Sequence, residues 1–251
     1  MQVVKKVLFV AIAMIFLVPS LSLAKEENYK DEFEDYENEN LSEIYDPLEK
    51  INRKIFTFND YLDLYLIEHL ANFYRQSVPK PARNSVRNFL TNLSAPISSV
   101  NSFLQGKVDN GLSTFSSFLI NSTIGVGGLF DVASQKGIRY KSEDFGQTLG
   151  NYGVGSGAYL VIPIFGPNST RDFGGFLVDK SVSPLDFNLL KIGGSENLVE
   201  ANYRIGLAVI GGVDKRESLI DILNSIRKES FDPYATIRSA YLQKRLTDIK
   251  F

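Results

Sequence analysis

The sequence predicts a mainly α-helical body, on three observations. Apolar residues recur at steps of three and four through residues 48–74, two Asp-Pro pairs stand where helices would begin, and glycine clusters punctuate the intervening segments. No solenoid-type repeat and no linker dividing the body is visible.

The chain opens with Lys5 and Lys6, an apolar run from Val7 to Val18, a Pro19 break and the small-residue site Ser22-Leu23-Ala24. This describes a cleaved signal peptide over 1–24, since a twelve-residue run falls well short of the ~20 residues needed to span a bilayer. Residues 25–46 carry ten acidic and two basic side chains, net −8, against 19 acidic and 23 basic in 47–251, net +4. Self-repulsion and few aliphatic residues predict a disordered acidic leader over 25–45.

Asp46-Pro47-Leu48-Glu49 supplies an N-cap, a proline at the first helical position and an acid able to reach back to the cap. The helix it opens is long, with Leu48, Ile51, Ile55, Phe58, Leu62, Leu66, Leu70 and Phe73 forming one stripe and a bend allowed at Asn59-Asp60. Pro79 and Pro81 end it and start a second helix to Leu93, Pro96 opens a third ending at Gly106, and a fourth is expected over Lys107–Asn121 before the loop Gly125–Gly128. Asp144–Gly157, with five glycines, reads as a loop, and Tyr159–Phe165 as an edge strand or extended loop because of Pro163. Ser169 or Thr170 is placed to cap a short helix. Helices are then expected near Ser195–Ile210, Val213–Lys228 and from Asp232-Pro233 to about Thr247.

Three windows of the body contain no charged residue: Asn88–Gly106, Asn110–Phe130 and Phe145–Thr170. Surface helices in water show charge every turn or two, so these windows are buried or face something other than water. Their Pro, Gly, Ser, Asn and Gln content argues against conventional membrane spans. Two arrangements fit: a soluble core rich in neutral polar residues, or a shallowly embedded body with an apolar exterior and a neutral polar interior.

Enzymatic chemistry has little to stand on. Cysteine is absent, and the sole histidine, His69, sits on the stripe of the first helix, where packing or exposure is the more usual role. There is no Gly-x-Ser-x-Gly elbow, no zinc ligand set and no calcium-loop spacing, so no metal or cofactor is expected. Gly153-Val154-Gly155-Ser156-Gly157 follows no strand and precedes no helix, which rejects a dinucleotide fingerprint. An exported body with net charge +4 is a poor partner for nucleic acid. Arg83 and Arg87, four apart with Lys80 just before, suit lipid phosphates; a solvated face or pairing with distant acids explains them as well.

The phrases "DPLEKINRKIFTFND" (46–60), "VPKPARNSVRNFLTNLSAP" (78–96), "VNSFLQG" (100–106) and "DFGQTLGNYGVGSGAYLVIPIFGPNSTRDFGG" (144–175), in that order, resemble the MlaA/VacJ family over about residues 44–248. The resemblance implies a single ring-like helical body over 46–248, shallowly embedded at the periplasmic side of the outer membrane. It also implies an amphipathic channel that takes mislocalised phospholipid from the outer leaflet to a periplasmic lipid-binding carrier, with a trimeric porin as membrane partner. Members are typically lipoproteins anchored through a cysteine, and this sequence departs from that pattern. On this reading Phe56, Phe58, Asn59, Tyr152, Tyr159, Leu160, Ile162 and Phe165 are candidate channel or gate residues. Lys80, Arg83, Arg87 and Arg171 are candidate headgroup or partner contacts. A porin-bound adaptor without a lipid path, and a lipid-acting hydrolase using His69, are the competing functions.

Overall fold

The computed structural model describes residues 46–182 and 198–250, with backbone alone over 198–204. The expected signal peptide, the acidic leader and the start of the helix expected from Ser195 lie outside the described residues. The described chain is mainly helical, as the apolar periodicity predicts.

The long first helix is present as one rod: α1 (Glu49–Leu62), a π-helical turn (Asp63–Ile67) and α2 (Glu68–Ser77). Its start differs from expectation. The helix begins at Glu49 after an N-cap, Leu48, that has no side-chain cap. Asp46 Oδ1 accepts from Leu48 N at 3.2 Å and from Asn52 Nδ2 at 3.1 Å, while its other oxygen meets Tyr234 and Arg238. Glu49 pairs forward with Arg53 at 2.7 Å instead of reaching back. The α-helix runs unbroken through Asn59-Asp60, and the irregularity comes at the π turn. At ~100° per residue, Glu68 would stand roughly 80° round the helix from Asp60, and one inserted residue turns it back to within about 20°. Asp60, Asp63 and Glu68 thereby all reach the Arg227 guanidinium.

The helices expected over Pro81–Leu93 and from Pro96 are a single α3 (Lys80–Leu104), with Pro96 inside it. Pro96 removes one ladder hydrogen bond, but α3 is held along its length by α4 (Val108–Thr123), which folds back on it after a turn where Gly106 has φ +75°. Ser99 Oγ donates to Gly111 O at 2.9 Å, Asn110 Nδ2 to Ser102 Oγ at 2.9 Å and Asn92 Nδ2 to Ser122 Oγ at 2.9 Å. Small residues let the two backbones approach this closely.

After α5 (Val132–Gln135), the glycine-rich stretch expected as a loop contains α6 (Phe145–Asn151). Asp144 caps it, Oδ1 accepting from Gln147 N at 2.8 Å. β1 (Tyr159–Ile162) pairs antiparallel with β2 (Gly166–Ser169), Tyr159 opposite Ser169 and Ile162 opposite Gly166. Pro163 therefore sits in the connecting turn of a two-stranded hairpin, where both strands are edges. α7 (Thr170–Val182) follows directly, and Ser169 Oγ accepts from Asp172 N at 3.1 Å as its cap. α6 and α7 cross at two glycines: a Cβ on Gly175 would lie 2.3 Å from Gly146 N.

The break expected near Gly211-Gly212 is absent, and α8 runs Leu198–Ser218, followed by α9 (Ile220–Glu229). Asp232 Oδ1 accepts from Ala235 N at 3.2 Å and starts α10 (Pro233–Lys250), as the second Asp-Pro pair predicts. Tyr159, Val161 and Tyr234 form the apolar core cluster, with Ile55, Phe56 and Tyr241 packed against it.

Candidate lipid-facing surface and hairpin

The polarity of the body is inverted. On α4 the buried positions are Gly111, Thr114, Ser117 and Asn121, whereas Val108, Leu112, Phe115 and Leu119 lie outside; Thr114 is 0% exposed and Leu119 47%. α3 repeats the pattern, burying Asn92, Ser98, Ser99, Asn101 and Ser102 and exposing Val100, Phe103 and Leu104. The stripe of α1 and α2 also points outward at Ile51, Phe58, Leu66, Leu70 and Phe73, while Asn52 and Ala71 are the buried positions. Outward apolar residues at helical spacing are costly in water, roughly 25 cal/mol for each Å² exposed. No described helix is long and apolar enough to cross a membrane.

Asparagines on α1 hold the hairpin. Asn52, 2% exposed, donates through Nδ2 to Tyr159 O at 2.9 Å and accepts at Oδ1 from Val161 N at 2.9 Å. Two turns on, Asn59 repeats the contact at the hairpin turn, donating to Ile162 O at 3.0 Å and accepting from Ile164 N at 2.8 Å. Each primary amide offers a donor and an acceptor, so it mimics a neighbouring strand. Ile164, held at φ +70°, a conformation a β-branched residue rarely takes, points outward beside Phe165, which is 70% exposed.

Many of the charged residues among those described pair with one another. Arg87 pairs with Asp214 at 3.1 Å and Glu217 at 3.2 Å, and Arg83 with Glu217 at 3.5 Å and with the carbonyl of Arg75 at 2.7 Å. Both acids are buried on α8. Of the two sequence readings of these arginines, pairing with distant acids is the geometry observed, and Lys80 beside them is exposed. Arg171 bonds Asp172 at 2.9 Å and the carbonyl of Val154 at 3.2 Å. Arg245 bridges Asp144 at 2.7 Å and Asp172 at 2.8 Å. Burial opposes charge on Asp172, but hydrogen bonds from Arg245, Arg171 and Tyr241 outweigh it and hold this carboxyl well below the usual range. Asp144 is lowered for the same reason: burial opposes its charge and Arg245 prevails. Asp179 is raised, because burial, helped by the nearby Asp144 charge, outweighs the hydrogen bonds donated by Phe145 N and Asn101 Nδ2.

The MlaA lipoprotein family model matches residues 44–248. The chain belongs to the MlaA family. The "Intermembrane phospholipid transport system lipoprotein MlaA" of Escherichia coli is 36% identical over 203 residues, 79% of this chain and 76% of that protein. A Rickettsia bellii protein is 35% identical over 210 residues, 83% of this chain and 78% of its own. A solved structure described under "Structural basis for maintenance of bacterial outer membrane lipid asymmetry" superposes with a TM-score of 0.71 at 37% identity, covering 82% of this chain and 100% of that one. The resemblance carried by the four phrases is thus borne out at family level, and the helical architecture with it.

Within this MlaA-family body the sequence-predicted site residues fall into separate environments. Phe56 and Tyr159 pack in the core cluster around Tyr234, and Leu160 and Ile162 are half-buried in β1. Phe58, Tyr152 and Phe165 are exposed, with the Tyr152 hydroxyl donating to Leu104 O at 2.6 Å. Asn59 lies against the hairpin turn. Sequence reasoning missed Asn52, although its seven-residue spacing from Asn59 places both amides on one helix face, the signal that would have found it. It also missed α6, for which Asp144-x-x-Gln147 is a start signal that outweighs the glycines.

Proposed function

We propose that this chain carries phospholipid at the periplasmic side of an outer membrane without chemically altering it. In this reading it removes phospholipid misplaced in the outer leaflet through an amphipathic passage and hands it to a periplasmic lipid-binding carrier, so maintaining lipid asymmetry. The inverted polarity carries the reading. Acyl chains relieve the cost of outward residues such as Leu112, Phe115 and Leu119, and buried neutral groups such as Ser98, Asn101 and Thr114 offer a headgroup surroundings free of naked charge. The similarity to the Escherichia coli phospholipid transport lipoprotein and to the solved structure concerned with outer-membrane lipid asymmetry supports the same role.

The Gly150–Phe165 segment, with Leu160, Ile162 and Phe165, is proposed to border the mouth of the passage, and Asn59 to hold its hairpin in place. A trimeric porin is the proposed membrane partner. The sequence contains no cysteine, so attachment is assigned to the outward apolar side chains and that partner. A hydrolytic role for His69 has little support, because its ring is exposed on α2 with no hydrogen-bond partner among the described residues.

The test is to extract the full chain in mild detergent and measure bound phospholipid by mass spectrometry. In parallel, the chain is expressed in an Escherichia coli strain lacking its own MlaA and surface-exposed phospholipid is measured. Co-purified phospholipid and restored asymmetry are expected. A lipid-free protein that co-purifies a porin and restores nothing would leave the adaptor reading in its place.

A further inference from the structure

We propose that the cleft at the α3–α4 turn is a headgroup subsite for a zwitterionic phospholipid such as phosphatidylethanolamine. This rests on the phospholipid reading above and names where, and for which headgroup, this chain would hold the lipid. The cleft, about 430 Å³, is lined by Lys107, Asp109, Asn110, Lys141 and Glu143 together with Gly106 and Val108. That volume is in the range of small-molecule sites, ~300–1,000 Å³.

Two ammoniums and two carboxylates face it, so its formal charge is zero. Lys107 Nζ donates to Glu143 Oε1 at 2.9 Å, and Lys141 Nζ donates to Asp248 O at 3.1 Å and Thr247 O at 3.5 Å, each leaving donor capacity on a group with three N–H bonds. α4 starts here with no side-chain cap; Val108 N–H is taken up by Gly106 O at 3.0 Å, and the helix dipole adds positive potential at this end. Asp109 is exposed with no partner among the described residues, and nearby Gln105, 8% exposed, has a buried Oε1 with none. A phosphodiester suits the lysines and helix start; a primary ammonium suits the exposed carboxylate of Asp109. A headgroup bearing both charges satisfies the lysines and Asp109 together, whereas a net anion leaves Asp109 unmatched, since Glu143 is already paired with Lys107 and Gln105.

The apolar stripe of α4 begins at the same place. From Val108 through Leu112 and Phe115 to Leu119 the helix rises roughly 16 Å at ~1.5 Å per residue. One leaflet of hydrocarbon is ~15 Å thick, half of a ~30 Å core. A lipid with its headgroup in the cleft can therefore lay its chains along this stripe for their full depth.

The experiment uses the full chain in detergent, with dihexanoyl phosphatidylethanolamine, dihexanoyl phosphatidylglycerol and inorganic phosphate as probes in calorimetric titrations. The parent protein is expected to bind the ethanolamine lipid roughly ten-fold more tightly than the glycerol lipid, and inorganic phosphate weakly. Lys141→Gln should weaken both lipids about ten-fold, and Asp109→Asn, a surface change, should abolish the preference between them with helicity unchanged. Lys54→Gln on α1 should alter nothing. Inorganic phosphate binding as tightly as the lipid would assign the cleft to a free anion and overturn the lipid assignment. Unchanged binding in both cleft variants would overturn the subsite while leaving phospholipid carriage, tested by co-purification, standing.

Discussion

Asn52→Ala separates a structural amide from a positional one. Its side chain satisfies the backbone N–H of Val161 and the carbonyl of Tyr159, both in the buried core cluster, so truncation strands two polar groups that water reaches poorly. Each such group costs ~1–3 kcal/mol, giving about 3 kcal/mol for the pair. For a body of some 200 residues this lowers the melting midpoint by roughly 6–12 °C. Asn59 makes the same two kinds of bond at an exposed turn, where water can replace it, so Asn59→Ala should cost less than ~1 kcal/mol. Its effect should appear instead as faster proteolysis at Pro163–Gly166 and altered lipid export. The assay is thermal unfolding followed by circular dichroism, with the same detergent for all variants. Equal shifts for the two alanine variants would refute the distinction drawn from burial.

Further expectations follow from the same geometry. Leu119→Asp should leave stability within about 0.5 kcal/mol yet reduce flotation with phospholipid vesicles, whereas Thr114→Leu on the opposite face should cost ~1–3 kcal/mol by overpacking; reversed effects would mean that the helix faces the other way. Gly175→Ala should prevent normal folding, because its Cβ would meet Gly146 backbone at 2.3 Å, while Gly155→Ala, with open space around it, should be tolerated; similar expression of soluble folded protein would contradict the close crossing. Asp144 and Asp172 have folded-state values below the unfolded ~3.9, so their stabilisation is complete above about pH 4 and is lost as the pH falls through the lower folded values. Asp179, raised by burial, opposes this by losing stability as the pH rises above the unfolded value. Melting midpoints between pH 7 and 2 should fall steeply in the acid range for the parent and less for Arg245→Met, and parallel curves would exclude the Arg245 bridge as the cause.

Local chemistry wrote much of the helical plan into the sequence. The long rod of α1 and α2 follows from the period of Leu48 to Phe73, α10 from Asp232-Pro233, and the α7 start from Ser169, since each signal acts within one or two turns of chain. The same locality explains the errors. Pro96 and Gly211-Gly212 are helix breakers by intrinsic preference, and packing of α3 along α4 and the burial of Asp214, Arg216 and Glu217 in α8 override it.

Which way each stripe faces was a tertiary decision. Periodicity shows that Val108, Leu112, Phe115 and Leu119 share a face, but a helix rotated by half a turn has the same period, and only the partner on the other side, here the serines and asparagines of α3, decides which face is covered. The charge-free windows announced by themselves that this body avoids water in an unusual way. Coordinates alone could show that its apolar residues look outward, because contacts such as Asn52 to Tyr159, Arg83 to Glu217 and Arg245 to Asp144 join residues a hundred or more positions apart, and a linear sequence carries no distance between them.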